Sequence, residues 1–112
     1  VRKGDRIIAI DFDHTLCDTA HPVEGKKMGA PMPGALEVVE ELQDRGYGVI
    51  VFTINNVQVV GEWLDYYNFD CQVTSIKPAA EVYVDDKALR FTGNWQQTLK
   101  ELEVLTGWVE VD

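Results

Sequence analysis

The sequence predicts an α/β fold built on a parallel sheet. Two observations carry that expectation. Short continuous apolar runs, "IIAI" and "YGVIVFT", have the pattern of strands buried on both faces. Segments with helical apolar periodicity alternate with them, and that alternation demands right-handed crossovers between parallel strands. The 112 residues fit a single domain spanning 1–112. Apolar residues make up 46%, enough for a packed core.

Ile7 to Ile10 form the first strand, which runs directly into Asp11, Phe12, Asp13, His14 and Thr15. Residues 16–33, "LCDTAHPVEGKKMGAPMP", hold three prolines and two glycines. They read as a flap-like loop with room for a small hairpin, long for so small a domain and therefore a candidate for function. Pro33 and Gly34 open a helix with Ala35, Val38, Val39 and Leu42 as its apolar stripe, and Gly46 stops it. The second strand, "YGVIVFT", ends at Thr53. Asn55 or Asn56 caps the next helix, whose stripe is Val60, Trp63, Leu64 and Tyr67. A short strand falls near "CQVTS" and another at "EVYVDD", ending in Asp85 and Asp86. Asn94 caps the last helix, with Gln97 three residues on and Trp95, Leu99, Leu102 and Leu105 expected to face inward.

The formal net charge of −9 argues against nucleic acid, whose phosphates are held by basic stripes. Much of the acid reads as solvated helix face, as at Glu37, Glu40, Glu41 and Asp44. No apolar run reaches the length of a membrane span, and "VRKGDR" does not read as a signal peptide. Cys17 and Cys71 are far apart, the pattern of reduced core thiols, so the expected location is cytoplasmic.

In parallel sheets ligands bind beyond the carboxyl ends of the strands. Asp11, Asp13, Thr53, Asp85 and Asp86 all fall there, and Lys77 lies in the loop before the last of these strands. A lone Asp after a strand is usually a turn or cap residue, Thr53 alone is an ordinary strand residue, and Lys77 alone is a solvated lysine. The set together is different. Converging carboxylates repel unless a cation joins them, and an all-oxygen donor set favours Mg²⁺. A hydroxyl and an ammonium beside such a cluster suit phosphoryl oxygens, and a close carboxylate pair offers a nucleophile and a general acid/base. His14, Asn55, Lys26 and Lys27 are candidate substrate contacts; for each of the lysines a solvated loop charge is an equal reading. His21 reads as a surface histidine. Trp108, Val109 and Val111 read as an exposed apolar patch and a subunit contact.

"DFDHT" resembles the DxDx(T/V) first motif of the haloacid dehalogenase (HAD) superfamily. Thr53 after "VIVF", Lys77 and "VYVDD" resemble its second, third and fourth motifs, in order. "DFDHTL", "PGALEVVEEL" and "VYVDDKALRFTGNW" look like the small capless HAD-like hydrolases of bacteria and phages. The resemblance runs from Ile7 to about Leu105. It implies a three-layer Rossmann-like fold with strand order 3-2-1-4-5 and no cap domain. It implies Asp11 as nucleophile and Mg²⁺ ligand, and Asp13 as general acid/base that also binds Mg²⁺ through its carbonyl. Thr53 and Lys77 would bind phosphate. Asp86 would be a metal ligand, with Asp85 supporting it directly or through water.

The implied activity is Mg²⁺-dependent hydrolysis of a phosphate monoester, small or macromolecular, through an aspartyl phosphate. His14 departs from the family where Gly is frequent, and no further acid follows between Lys87 and Phe91. With no cap, the site is open to solvent unless a second subunit or a large substrate covers it. The rival readings are a receiver-like phosphoacceptor domain and a non-catalytic domain on the same fold. A receiver carries its phosphoacceptor after the third strand, where "CQVTS" has no Asp.

Overall fold

The computed structural model describes residues 6–107. Trp108, Val109 and Val111 lie outside them, so the apolar patch expected there has no structural counterpart to report. The elements are β1 (Ile7–Asp11), β2 (Cys17–Pro22), β3 (Gly29–Pro31), α1 (Ala35–Asp44), β4 (Gly48–Phe52), α2 (Val57–Tyr66), β5 (Gln72–Thr74), β6 (Val82–Val84) and α3 (Trp95–Thr106).

Strands β5, β4, β1 and β6 form one parallel sheet in that order. The α/β class with a parallel sheet is therefore as expected. The described residues supply four strands of this sheet, not five. Register explains the core. Ile8 and Ile10 stand beside Val49 and Val51 on one face of the sheet. Val39 of α1 and Val60, Trp63 and Leu64 of α2 close over them. The other face carries Ala9, Ile50 and Tyr83 in register, and neither α1 nor α2 covers it.

Helix ends follow the local chemistry. Gly34 precedes α1 at φ 84°, and Gly46 follows it at φ 95°, the left-handed conformation that stops a helix. Asn56, not Asn55, caps α2: its side chain accepts from the amides of Gln58 and Val59. Asn94 caps α3 by accepting from the Gln97 amide.

Two expectations need correcting. Val38 points to solvent, and the inward positions of α1 are Ala35, Leu36, Val39 and Leu42. More consequentially, α3 does not pack on the sheet: Trp95 is 72% exposed, and Leu99, Leu102 and Leu105 are exposed too. The three expected layers are two in contact among the described residues. Periodicity fixes which positions share a helix face; it does not say what that face meets. No described helix is long and apolar enough to cross a membrane.

The segment 16–33 holds the antiparallel hairpin β2–β3. Its base is anchored in the core. The Trp63 indole N–H donates to the Gly29 carbonyl at 2.8 Å, and the Cys17 thiol approaches the same oxygen at 3.6 Å.

Candidate active site

Phe12 is the pivot of the site. It is fully buried and meets the Trp63 ring edge-on at 4.9 Å. Its carbonyl accepts from the amides of Thr15, Leu16 and Cys17, turning the chain sharply after β1. Successive side chains of an extended segment alternate, so a core-facing Phe12 leaves Asp11 and Asp13 on the opposite side, half-buried.

Parallel pairing brings the end of β6 to the same edge. Carboxylate oxygens of Asp11, Asp85 and Asp86 lie within 4.8 Å of one another. Asp85 also accepts from the Lys87 amide at 2.7 Å, which folds the chain back behind the cluster in a side-chain-closed turn. Thr15 Oγ1 reaches Asp86 at 3.5 Å, a long contact. The electrostatic consequence falls on Asp11. Burial holds its carboxyl above the ordinary carboxylate range, and the charges of Asp85, Asp86 and Asp13 push the same way against a hydrogen bond from the Phe12 amide. Such a site is short of positive charge. Its donor set is all oxygen, which fits a hard divalent cation such as Mg²⁺.

Two adjoining cavities open here. One, of about 220 Å³, is lined by Asp11, Asp13, His14, Ile54, Asp86 and Lys87 among others. The second, of about 410 Å³, shares Asp11, Phe52 and Asp85 with it and adds Lys77 and Tyr83. The Lys77 ammonium stands over the Tyr83 ring, 4.7 Å from its centroid, and the Tyr83 hydroxyl donates to the Pro78 carbonyl at 2.6 Å. Lys77 thus shares a cavity with Asp11 and Asp85, its ammonium held over Tyr83 of the "VYVDD" stretch.

Thr53 sits at the end of β4 but is buried, 1% exposed, and lines neither cavity. Its hydroxyl oxygen accepts from the Asn55 amide at 2.9 Å, which leaves its proton available to an anion. Asn55 is exposed and turns its side chain back to the Asn56 amide, away from both cavities.

His14 lines the first cavity, with φ at 64°. That backbone explains why glycine suits this position: a side chain there costs about 1–2 kcal/mol. The local hydrogen bond at His14 is made by its backbone amide, which donates to Thr19 Oγ1 at 3.2 Å. His21 pairs with Asp18 at the exposed surface. Lys26 and Lys27 are not brought to the acids. Lys26 stands over Tyr66, the last residue of α2, and both lysines line a separate hollow with Tyr66 and Tyr67. That hollow runs along α2 from Val59 to Tyr66, and neither lysine lines the cavities of the acids.

Thr19 and Tyr83 are the positions that sequence reasoning missed. Thr19 Oγ1 lies 3.0 Å from an Asp13 carboxylate oxygen. No sequence signal places it there, because the β2–β3 pairing shifts register between Cys17 and Pro22 and strand alternation does not hold across that stretch.

No family model matches the chain, and no curated protein matches it. Among solved structures, a conserved protein coded by a locus from Bacteroides thetaiotaomicron is similar, with a TM-score of 0.58 and 18% identity. The match covers 88% of this chain and 90% of that one. Identity that low shows a shared fold alone.

Proposed function

We propose that this chain is a HAD-type phosphatase, a Mg²⁺-dependent hydrolase of phosphate monoesters. The observation that carries the reading is the convergence of Asp11, Asp85 and Asp86 within 4.8 Å beside Asp13. The strand order 3-2-1-4-5 belongs to the same reading: β5, β4, β1 and β6 would take its first four places.

Asp11 is the nucleophile. One of its oxygens attacks phosphorus as the ester P–O bond breaks, forming an aspartyl phosphate. Asp13 gives its proton to the departing ester oxygen, then takes one from the water that attacks phosphorus. The second attack releases inorganic phosphate and restores the Asp11 carboxylate. Lys77 neutralises charge on the phosphoryl oxygens, and Thr53, buried outside both cavities, fixes the turn after β4 by accepting from the Asn55 amide. Asp11, Asp85, Asp86 and the Asp13 carbonyl would hold Mg²⁺. When bound, the ion supplies positive charge to the phosphoryl group and relieves the repulsion among the acids.

The test is a phosphate-ester screen with and without Mg²⁺, beside Asp11→Asn and Asp13→Asn. Hydrolysis should need Mg²⁺, fall to background in Asp11→Asn, and drop by roughly 10²–10⁴ in Asp13→Asn. A folded wild type inert toward the whole panel would sink the enzyme reading. A phosphorylated Asp11 that persists without turnover would favour the phosphoacceptor alternative.

A further inference from the structure

We infer that Thr19, on the flap strand β2, is the positioning residue of the general acid: its hydroxyl fixes the Asp13 carboxyl so that one oxygen alone faces the leaving group. The inference rests on the phosphatase reading above.

Thr19 Oγ1 has three polar neighbours. It accepts from the His14 amide at 3.2 Å and lies 3.0 Å from Asp13 Oδ1. A hydroxyl has one proton. The Cys17 carbonyl is a competing acceptor at 3.4 Å, but the Asp13 carboxylate is nearer and charged, so the proton goes there. The amide of His14 fixes the hydroxyl rotor from behind. Oδ1 of Asp13 is thereby occupied, and Oδ2 is left to carry the catalytic proton. That proton passes to the ester oxygen as the P–O bond breaks, and Oδ2 later receives one from the attacking water.

The flap base is tied to the core. Trp63 and Cys17 both engage the Gly29 carbonyl, which ties β2 to β3 and both to α2. Thr19 follows the buried Cys17 by two residues on β2, where the strand bulges against β3. A carboxylate held at one oxygen by a fixed hydroxyl loses little orientational freedom on the way to the transition state.

The prediction is specific to leaving-group departure. kcat/KM reports events up to the first irreversible step, which here is loss of the alcohol. An alcohol of low pKa leaves without a proton; one of high pKa needs it. The experiment measures kcat/KM for wild type, Thr19→Val, Thr19→Ser and Thr19→Ala over esters from dinitrophenyl phosphate to an alkyl phosphate. Thr19→Val should lose roughly 10–10²-fold with the alkyl ester and under about 2-fold with dinitrophenyl phosphate. Thr19→Ser should restore the wild-type dependence on the leaving group. If Thr19→Val fails to fold, the contrast between Thr19→Ser and Thr19→Ala carries the same test. An equal loss across the series, or none, would overturn the inference while leaving the phosphatase intact. A wild type inert toward every ester would overturn the phosphatase reading and the inference with it.

Discussion

The Trp63 indole donates a hydrogen bond to the Gly29 carbonyl at 2.8 Å, joining the middle of α2 to the second strand of the flap. Trp63 also stacks on Phe69 at 5.5 Å and meets Phe12 edge-on, so one side chain links the flap, the core and the turn that carries both aspartates. Trp63→Phe keeps an aromatic ring but deprives that buried carbonyl of its strongest donor. The expected cost is about 1–3 kcal/mol. Gly29→Ala acts at the other partner, because a Cβ there runs into the Asp18 carbonyl and the strands must part; the expected cost is again about 1–3 kcal/mol. Urea unfolding should show both as a lowered midpoint at unchanged slope.

The two thiols should be chemically silent. Cys17 is buried, and burial, with the charges of Asp13 and Asp18, raises its thiol above the ordinary range. Burial pushes Cys71 up to about 11. The thiolate is the reactive form, and at pH 8 a thiol of that pKa is roughly 0.1% ionised. Iodoacetamide at pH 8 should leave both cysteines unmodified in the folded protein and alkylate both in urea. Rapid native labelling of Cys71 would contradict the packing around it.

Much of this architecture was legible because it is local. The apolar runs gave β1 and β4, and the side-chain caps gave the starts of α2 and α3. The acids fell at strand ends, where a parallel sheet gathers them, and Asp11, Asp13, Asp85 and Asp86 do border one pair of cavities. What the sequence hid depends on the third dimension. Lys26 and Lys27 sit in the segment that follows the motif in sequence, yet the hairpin carries them to a separate hollow along α2. The apolar positions of α3 have the right period but no packing partner among the described elements. Thr19 has no motif; its role exists only because β2 folds back over Asp13.

Mg²⁺ should bind at the acid cluster and stabilise the fold whether or not a substrate is found. A ligand that binds only the folded state adds about 2.7 kcal/mol at a hundredfold excess over its Kd. Thermal unfolding should therefore shift upward with Mg²⁺ and return on chelation. Asp86→Asn and Asp85→Asn should each shrink the shift, since both remove an oxygen charge from the cluster. An equal shift in the double variant would place the ion elsewhere.

The acid cluster also sets how stability varies with pH in the absence of metal. The Asp11 carboxyl titrates higher in the folded chain than when unfolded, first through burial and then through the charge of Asp85. Between those two values the folded state holds a proton that the unfolded state has released. Stability must then fall as pH rises through that window, starting at the ordinary carboxylate range and ending at the raised folded value. Above it, the folded protein carries the full unfavourable burial and repulsion of an ionised Asp11. Asp11→Asn removes that charge, so at neutral pH and without Mg²⁺ it should unfold at a higher temperature, by ~2 °C for a domain of this size. The advantage should vanish as the pH is lowered below the ordinary carboxylate range, and should reverse when Mg²⁺ is added. Thermal melts of the two proteins across pH 3–8, with and without Mg²⁺, read all three. A variant less stable than wild type at neutral pH without metal would mean that Asp11 is not under the strain its surroundings impose.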